Sequence, residues 1–368
     1  MSIAPAHLVV GCALLWLAQV VQQQEPPYAD MAQRAMAAMK PSSGERVLIR
    51  AHPDTMSAFE PFMRGAFERA GARVETIATR DVNNFEERLA SCDIYVWMPG
   101  ASASTTPQQR EALERWVDQG GTRRELHFHW SEGTLTLDRS PASHTPDFDR
   151  MYAEALNIDY RTLDKAQDAA IALLRSGEIR VTTPAGTDLR FSTGDRAFNK
   201  QNGDGSAERM QSARIRIDRH LELPAGIIRV APLESSVRGV LVVPALRYGD
   251  GVGAIAHDVR LEFAQGKAVK VSARERAVGV EQLLESSPAL AHFRELGVGF
   301  NPKLTIQPGS AVVPYYGYGA GVVRLSLGDN EELGGAVRGG ASMWNFFPDA
   351  TITVGDRALV RDGRLVQP

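Results

Sequence analysis

Cysteine is almost absent from this 368-residue chain, which contains only Cys12 and Cys92. A disulfide framework is therefore excluded, and a hydrophobic core must hold the fold together. The sequence also has no phosphate-binding Walker loop, no Gly-x-Ser-x-Gly nucleophile elbow, no Cys-x-x-Cys site and no internal repeat.

An excess of basic charge is missing as well. The formal net charge is -3, and lysines and arginines are mixed with acidic residues throughout. Neither nucleic acid nor an anionic membrane surface is therefore expected as a partner. The composition, 43% hydrophobic and 23% charged, is that of a globular protein that is long enough for two domains.

One long apolar run occurs, from Leu8 to Val21, and polar residues follow it. Its length is typical of a signal-peptide core and short for a membrane span, so we expect a leader over residues 1–24 and export to the periplasm or the outside. No Lys or Arg precedes the run, which keeps a cytoplasmic location open. The phrase Val9-Val-Gly-Cys12 resembles a lipobox and leaves a lipid anchor as another alternative.

Alternating strand and helix patterns predict a small parallel α/β domain over residues 40–177. A capping box of Ser57 and Glu60 predicts the start of one helix, and Thr106 is the expected N-cap of another, Pro107 to Gln119. Ligands in such sheets bind beyond the carboxyl ends of the strands. The predicted strands are Arg46 to Arg50, Arg73 to Ile77, Ile94 to Met98 and Glu125 to Trp130.

The last of these strands carries the first candidate site. His127 and His129 alternate with apolar residues, and Glu132 follows the strand, so these residues are the catalytic candidates. They could hold a divalent metal such as zinc if His144 or Asp147 joined them, or act as a proton shuttle. The remaining alternative is a set of hydrogen-bonded polar residues that line a domain interface.

From Ile179 onward the period changes to two, which predicts a larger, mainly β (α+β) domain over residues 178–368. A helix from Val278 to Glu285 interrupts it. The expected strands are Ile179 to Thr183, Leu189 to Ser192, Arg214 to Ile217, Gly239 to Val243, Val259 to Phe263 and Ala268 to Val271.

The stretch from Val312 to Val366 carries the second group of candidates. Arg324 lies on a predicted strand, and the glycine-rich loop after it contains Asp329 and Glu331. A buried guanidinium is costly without carboxylates, so we expect Arg324 to bond to Glu331 or Asp329; the alternative is an Arg324 exposed on an edge strand. With Tyr316 and Trp344, these residues are the candidates for ligand binding.

The chain resembles the aminopeptidase T, or thermophilic metalloaminopeptidase, family, to which 2,5-dihydroxypyridine dioxygenase is also similar. The resemblance implies an aminopeptidase T-type fold, peptidase activity and a homodimer around an internal cavity. The phrases that carry it are Val47-Leu-Ile-Arg50, Ala70-Gly-Ala72, Thr183-Pro-Ala-Gly-Thr-Asp-Leu189, Leu223-Pro-Ala-Gly226, Ala231-Pro232, Leu296-Gly297, Gly328-Asp-Asn330 and Asp362-Gly-Arg364.

The resemblance also implies a metal pair held by two glutamates, two histidines, a tyrosine and an aspartate. No aligned position keeps the ligand that the family has there, and zinc-type sites need nitrogen, sulfur or carboxylate donors, which Ile227, Val298 and Arg324 do not supply. We therefore expect no metal cofactor at this place. The aligned positions are Ile227, Val298, Arg324, Glu331, Met343 and Asn345.

Three functional hypotheses follow. The leading one is an aminopeptidase-like pseudoenzyme that has lost its metals and binds or processes a peptide-like or small aromatic ligand without metal. The first alternative is a metal-dependent aminopeptidase or hydrolase whose site has shifted to His127 and His129. The second alternative is a non-catalytic structural or interaction protein.

Overall fold

The fold is given by a computed structural model, which describes residues 27–81, 83–100, 105–128, 134–142, 145–248, 253–307 and 309–366. The helices are α1 Tyr28–Met39, α2 Glu60–Arg69, α3 Phe85–Ala90, α4 Pro107–Asp118, α5 Pro146–Leu156, α6 Tyr160–Arg175, α7 Ala207–Gln211 and α8 Ala277–Ser286. The strands are β1 Arg46–Ala51, β2 Arg73–Ala78, β3 Ile94–Met98, β4 Arg124–Phe128, β5 Leu135–Thr136, β6 Ile179–Thr182, β7 Asp188–Phe191, β8 Asn199–Lys200, β9 His220–Leu223, β10 Ile227–Val230, β11 Arg238–Tyr248, β12 Ala254–Ala264, β13 Lys267–Ser272, β14 Phe293–Gly299, β15 Val312–Val313, β16 Val323–Gly328, β17 Ser342–Phe347, β18 Thr351–Val354, β19 Arg357–Arg361 and β20 Arg364–Leu365.

The amino-terminal part contains a parallel sheet with the strand order β2-β1-β3-β4-β9. Met31 of α1 and Phe67 of α2 pack with one face of this sheet, whereas Phe85 of α3 and Trp116 of α4 pack with the other. Helices therefore cover both faces, as a parallel sheet requires. The predicted fold class, a parallel α/β part and a larger part rich in antiparallel strands, is confirmed.

Two local predictions in this region have opposite outcomes. Thr106 and Gln109 form the predicted capping box at the start of α4. The predicted box of Ser57 and Glu60 is wrong, because the Ser57 hydroxyl donates to the Asp54 carbonyl and α2 begins at Glu60 itself. The segment between β2 and β3, for which no element was predicted, contains the short helix α3.

The fifth strand of the parallel sheet comes from far along the chain. The sequence pattern predicts a strand from Arg214 to Ile217, but the structure has a 3-10 helix at Arg216–Arg219, followed by β9. The reason is local: the Asp218 carboxylate accepts hydrogen bonds from the backbone N–H groups of Arg214 and Ile215, which turns the chain. Strand β9 then lies beside β4 in parallel register.

The second part is built from two antiparallel sheets that pack face to face. We call the sheet β17-β16-β14-β10-β8 the central sheet; the larger sheet has the order β13-β12-β11-β7-β6-β18-β19-β20. One continuous core joins them, including Ile228 and Val323 from the central sheet and Val181 and Leu241 from the larger one. Apart from Arg214 to Ile217, the strands predicted for this region are present.

The central sheet has one apolar and one polar face. Ile228, Val298 and Val323 point into the core, so the alternation of a strand places Arg229 and Arg324 on the opposite face. This polar face and the parallel sheet border the same cavity, which is described below.

No helix in the described part of the chain has both the length and the apolar character that a membrane span needs. The predicted leader lies outside the described residues, and export stays a prediction.

Candidate functional site

Four titratable residues on two neighbouring strands form the centre of the candidate site. Glu125 and His127 belong to β4, and His220 and Glu222 belong to β9. The apolar residues between and beside them, such as Leu126 and Leu221, are buried in the core on the other face of the sheet. The parallel register places Glu125 beside His220 and His127 beside Glu222, so two short strands bring all four side chains together.

The side chains converge closely. The Oε2 atom of Glu125 lies 3.1 Å from Nδ1 of His220 and 3.5 Å from Nε2 of His127. The Nε2 atom of His220 lies 3.7 Å from Oε1 of Glu222, and the two imidazole ring centres are 3.6 Å apart. One donor atom from each of Glu125, His127 and His220 lies within 4.8 Å of the others, so these three residues could hold a metal ion.

The charges of the cluster depend on these contacts. Burial raises the pKa of Glu125, but the hydrogen bonds with His127 and His220 outweigh it and lower the pKa to about 2. Burial lowers the pKa of His220, yet its bonds with Glu125 and Glu222 raise it to about 10. Burial and the nearby charge of His220 lower the pKa of His127. With no cation bound, His220 is therefore an imidazolium between two carboxylates, and His127 is neutral at pH 7.

A cavity of about 570 Å³ opens beside this cluster. Its wall is formed by charged groups from α4 and from the 3-10 helix at Arg216–Arg219, and by aromatic rings from the parallel sheet and the central sheet. Its size is in the range of small-molecule sites. The lining residues are Tyr95, Trp97, Thr105, Arg110, Leu113, Glu114, Val117, Glu125, His127, Arg216, Ile217, His220, Tyr316, Glu332 and Trp344.

Two of the predicted binding residues, Tyr316 and Trp344, form an aromatic corner of this cavity. Their rings meet edge to face, with centroids 5.1 Å apart. The backbone φ angles of Tyr315 and Tyr316 are 39° and 52°, in the left-handed region that side chains rarely adopt. Such conformations cost free energy and often occur at functional sites.

The polar face of the central sheet carries a second cluster, which consists of ion pairs. Arg229 donates to Glu295 at 3.0 Å and to Glu332 at 2.8 Å. Arg324 lies 3.0 Å from Glu295, and Arg294 also pairs with Glu332. Burial raises the pKa of Glu295, but the charges of Arg229, Arg324 and Arg294 outweigh it and hold this pKa well below its usual range.

The predicted partners of Arg324 are wrong. Glu331 pairs with Arg338, and the Asp329 carboxylate accepts hydrogen bonds from backbone N–H groups of its own loop. Arg324 instead pairs with Glu295 of the neighbouring strand β14, where Gly297 stands opposite and leaves room for the guanidinium. The alternative of an exposed Arg324 is also wrong, because the residue is only 2% exposed.

The six positions aligned with the family's metal ligands do not converge. Ile227 and Arg324 lie on the polar face of the central sheet, whereas Val298, Met343 and Asn345 lie on the face that is turned to the core. Neither an isoleucine nor a guanidinium has a lone pair to donate to a cation, and the positive charges of the arginines on this face would repel one. The residues at these positions therefore do not fit a metal pair.

The other sequence candidates have different outcomes. His127 is part of the cluster, whereas His129, Glu132 and His144 lie outside the described residues and stay predictions. Asp147 pairs with Arg150 at the surface.

Sequence reasoning missed Glu125, His220 and Glu222. A signal was present in the mirrored triplets Glu125-Leu-His127 and His220-Leu-Glu222, each of which places two polar groups on one strand face. What the triplets do not show is that their strands pair.

Comparison with known proteins gives structural relatives only. No family model and no curated protein sequence matches the chain. Among solved structures, 2,5-dihydroxypyridine dioxygenase from Pseudomonas putida KT2440 has a TM-score of 0.65 and 17% identity, over 93% of this chain and 97% of that one. AmpT from Thermus thermophilus has a TM-score of 0.62 and 14% identity, over 92% of this chain and 99% of that one. The chain thus shares its fold with these two proteins and is distantly related to them in structure.

Proposed function

We propose that this protein is an enzyme of the hydrolase type whose reacting centre is formed by Glu125, His127 and His220. The observation that carries the proposal is the convergence of these three side chains on the wall of a cavity of about 570 Å³. Buried titratable groups in a cleft are typical of catalytic sites. The fold shared with AmpT supports a hydrolase-like scaffold, although the centre lies on a different sheet from the aligned metal positions.

The substrate is a peptide-like or small aromatic molecule. Tyr316 and Trp344 offer an aromatic corner, while the charged residues Arg216 and Glu332 offer polar contacts in the same cavity. A scissile carbonyl placed beside His127 would lie within reach of a water held by Glu125 and the two imidazoles.

Both enzymatic hypotheses drawn from the sequence can use this centre. Without a metal, an unprotonated ring nitrogen of His127 takes a proton from the attacking water, and the water oxygen bonds to the scissile carbonyl carbon. The proton then passes to the leaving amine as the C–N bond breaks. If a metal were bound, the same three side chains would hold it, and it would supply Lewis-acid activation of the water. The proposal keeps the expectation that the family's metal pair is lost. The missing donor residues and the arginines on the polar face of the central sheet support this expectation.

The test is hydrolysis of leucine 7-amido-4-methylcoumarin, which combines an amino acid with an aromatic leaving group. We expect turnover by the full chain and a loss of about 100-fold or more in kcat/KM for His127→Asn. The matched control is His257→Asn, a surface histidine near Glu275. The alanyl and glycyl amides of the same coumarin are tested beside the leucyl amide. Absence of turnover for all three substrates, or equal kcat/KM values for the parent and His127→Asn, would contradict the proposal.

A further inference from the structure

The Glu125, His127 and His220 cluster has the donor types, spacing and outer contacts of a metal site. We infer that these three residues bind one divalent first-row cation of the zinc or iron(II) type, and that Glu222 orients His220 toward it. This inference deepens the proposed function and rests on the same reacting centre.

The spacing of the donor atoms supports a cation. In a tetrahedral site with metal–ligand distances of about 2.0–2.2 Å, neighbouring donors lie about 3.3–3.6 Å apart. The distances of 3.1 Å from Glu125 Oε2 to His220 Nδ1 and 3.5 Å from Glu125 Oε2 to His127 Nε2 are close to these values. The two nitrogen donors lie within 4.8 Å of each other, so a cation can enter once the side chains adjust.

The chemistry of the donors selects the kind of cation. Two imidazoles and one carboxylate form the ligand set of many catalytic zinc sites and of non-haem iron(II) sites, whereas magnesium and calcium prefer oxygen ligands. Such sites leave at least one position for water or substrate. Here the three residues line the cavity. The remaining position on the cation would therefore face a molecule bound in the cavity.

The contacts behind the cluster also match a metal site. A histidine that binds a metal through one ring nitrogen usually donates its other N–H to a carboxylate, which fixes the tautomer. His220 would bind through Nδ1, and its Nε2 lies 3.7 Å from Glu222 Oε1. The backbone N–H of Glu222 donates to Gln201, which fixes β9 at this point.

A cation also resolves the crowding within the cluster. Both imidazoles approach the same oxygen of Glu125, with their ring centres 3.6 Å apart, so one carboxylate oxygen serves two nitrogens. In a metal complex each nitrogen has a bond of its own to the cation. The competing explanation is a plain ion-pair cluster in which Glu125 and Glu222 flank a protonated His220.

The experiment measures zinc binding and uses no substrate, so it is independent of the activity test. The full chain, prepared without a histidine tag and stripped with a chelator, is titrated with ZnCl₂ by calorimetry, and its metal content is measured by elemental analysis. We expect one zinc per chain. Cobalt(II) should bind to the same site and give the visible bands of a four- or five-coordinate ion.

Variants assign the site. Glu125→Gln and His220→Gln should each weaken zinc binding by about 100-fold or more, and Glu222→Gln by about 10–100-fold. His257→Gln is the matched control and should bind like the parent. Near-UV circular dichroism checks that each variant is folded, and the parent titration decides the matter if one is not.

Absence of zinc and cobalt binding by the folded parent would overturn the inference, as would binding that all three variants leave unchanged. Zinc binding without amide hydrolysis would keep the metal site and reject the proposed function. Hydrolysis by a chain that binds no metal would keep the proposed function and reject the metal site.

Discussion

Two polar clusters border one cavity, and they differ in what they can do. The cluster on the central sheet joins Arg229, Arg294 and Arg324 to Glu295 and Glu332. Its cations are guanidiniums, which neither release a proton near neutral pH nor bind metals. The cluster on the parallel sheet uses imidazoles instead of guanidiniums. The same architecture thus has one cluster suited to structure and one suited to chemistry.

The comparison separates a part of the molecule that is suited to structure from a part that is suited to chemistry. Five of the six positions aligned by the family resemblance are on the central sheet, whose polar face carries ion pairs. The side chains that can bind a cation or transfer a proton are on the parallel sheet. One fold can carry different sites, so the fold alone does not assign function to either cluster.

The largest expected effect comes from breaking the structural cluster. Arg229→Met leaves Glu295 and Glu332 with fewer partners in a buried setting, so we expect a destabilisation of about 3–5 kcal/mol in urea unfolding. The control is Arg180→Met, which breaks an exposed pair with Asp188 and should change stability by about 0.5 kcal/mol or less. Equal unfolding midpoints for the two variants would show that the central cluster is not structural.

The acid response of the same cluster is the next test. The pKa of Glu295 in the folded state is depressed, so its contribution to stability is complete above the usual carboxyl pKa of about 4.3 and is lost as the pH falls toward the folded value. We expect Glu295→Gln to be less stable than the parent at pH 7. The gap should narrow below about pH 4, because Glu295 of the unfolded parent then binds a proton that the folded parent does not.

Urea unfolding of both proteins from pH 7 to pH 3 measures this gap. Acid-sensitive groups far from Glu295 act on both chains alike and cancel in the difference. A gap that stays constant over the whole range would contradict the assignment of a charged Glu295 to the cluster.

The smallest effect concerns the aromatic corner. The Nε1 atom of Trp344 has no hydrogen-bond partner among the described residues, so Trp344→Phe should change stability by about 1 kcal/mol or less. Trp344→Ala removes the contact with Tyr316 and should raise KM for the coumarin amide about tenfold, with kcat unchanged. A fall in kcat with an unchanged KM would place Trp344 in the reacting centre instead.

The sequence predicted the elements whose pattern is local. The strands Ile94–Met98 and Val323–Gly328 were recognised because burial imposes a run of apolar residues or an alternation. Strand β9 was missed because it has only 4 residues and its partner lies far away, with His220 bonded to Glu125 across 95 positions.

The site was predictable only in part for the same reason. His127 was identified from its own strand, but His220 and Glu222 reach it through a pairing that no local pattern encodes. The sequence left Arg324 either buried in an ion pair or exposed on an edge strand, and the structure has it buried. Its partner Glu295 is set by the register of β16 with β14, which no local pattern encodes.

The most direct test of the central claim is the position of a bound metal ion. Crystals of the full chain soaked with ZnCl₂ would be measured at the zinc absorption edge. We predict one anomalous peak within about 2.0–2.2 Å of Glu125 Oε2, His127 Nε2 and His220 Nδ1. A peak between Ile227 and Arg324 on the polar face of the central sheet, or no peak at the three predicted donors, would contradict the account.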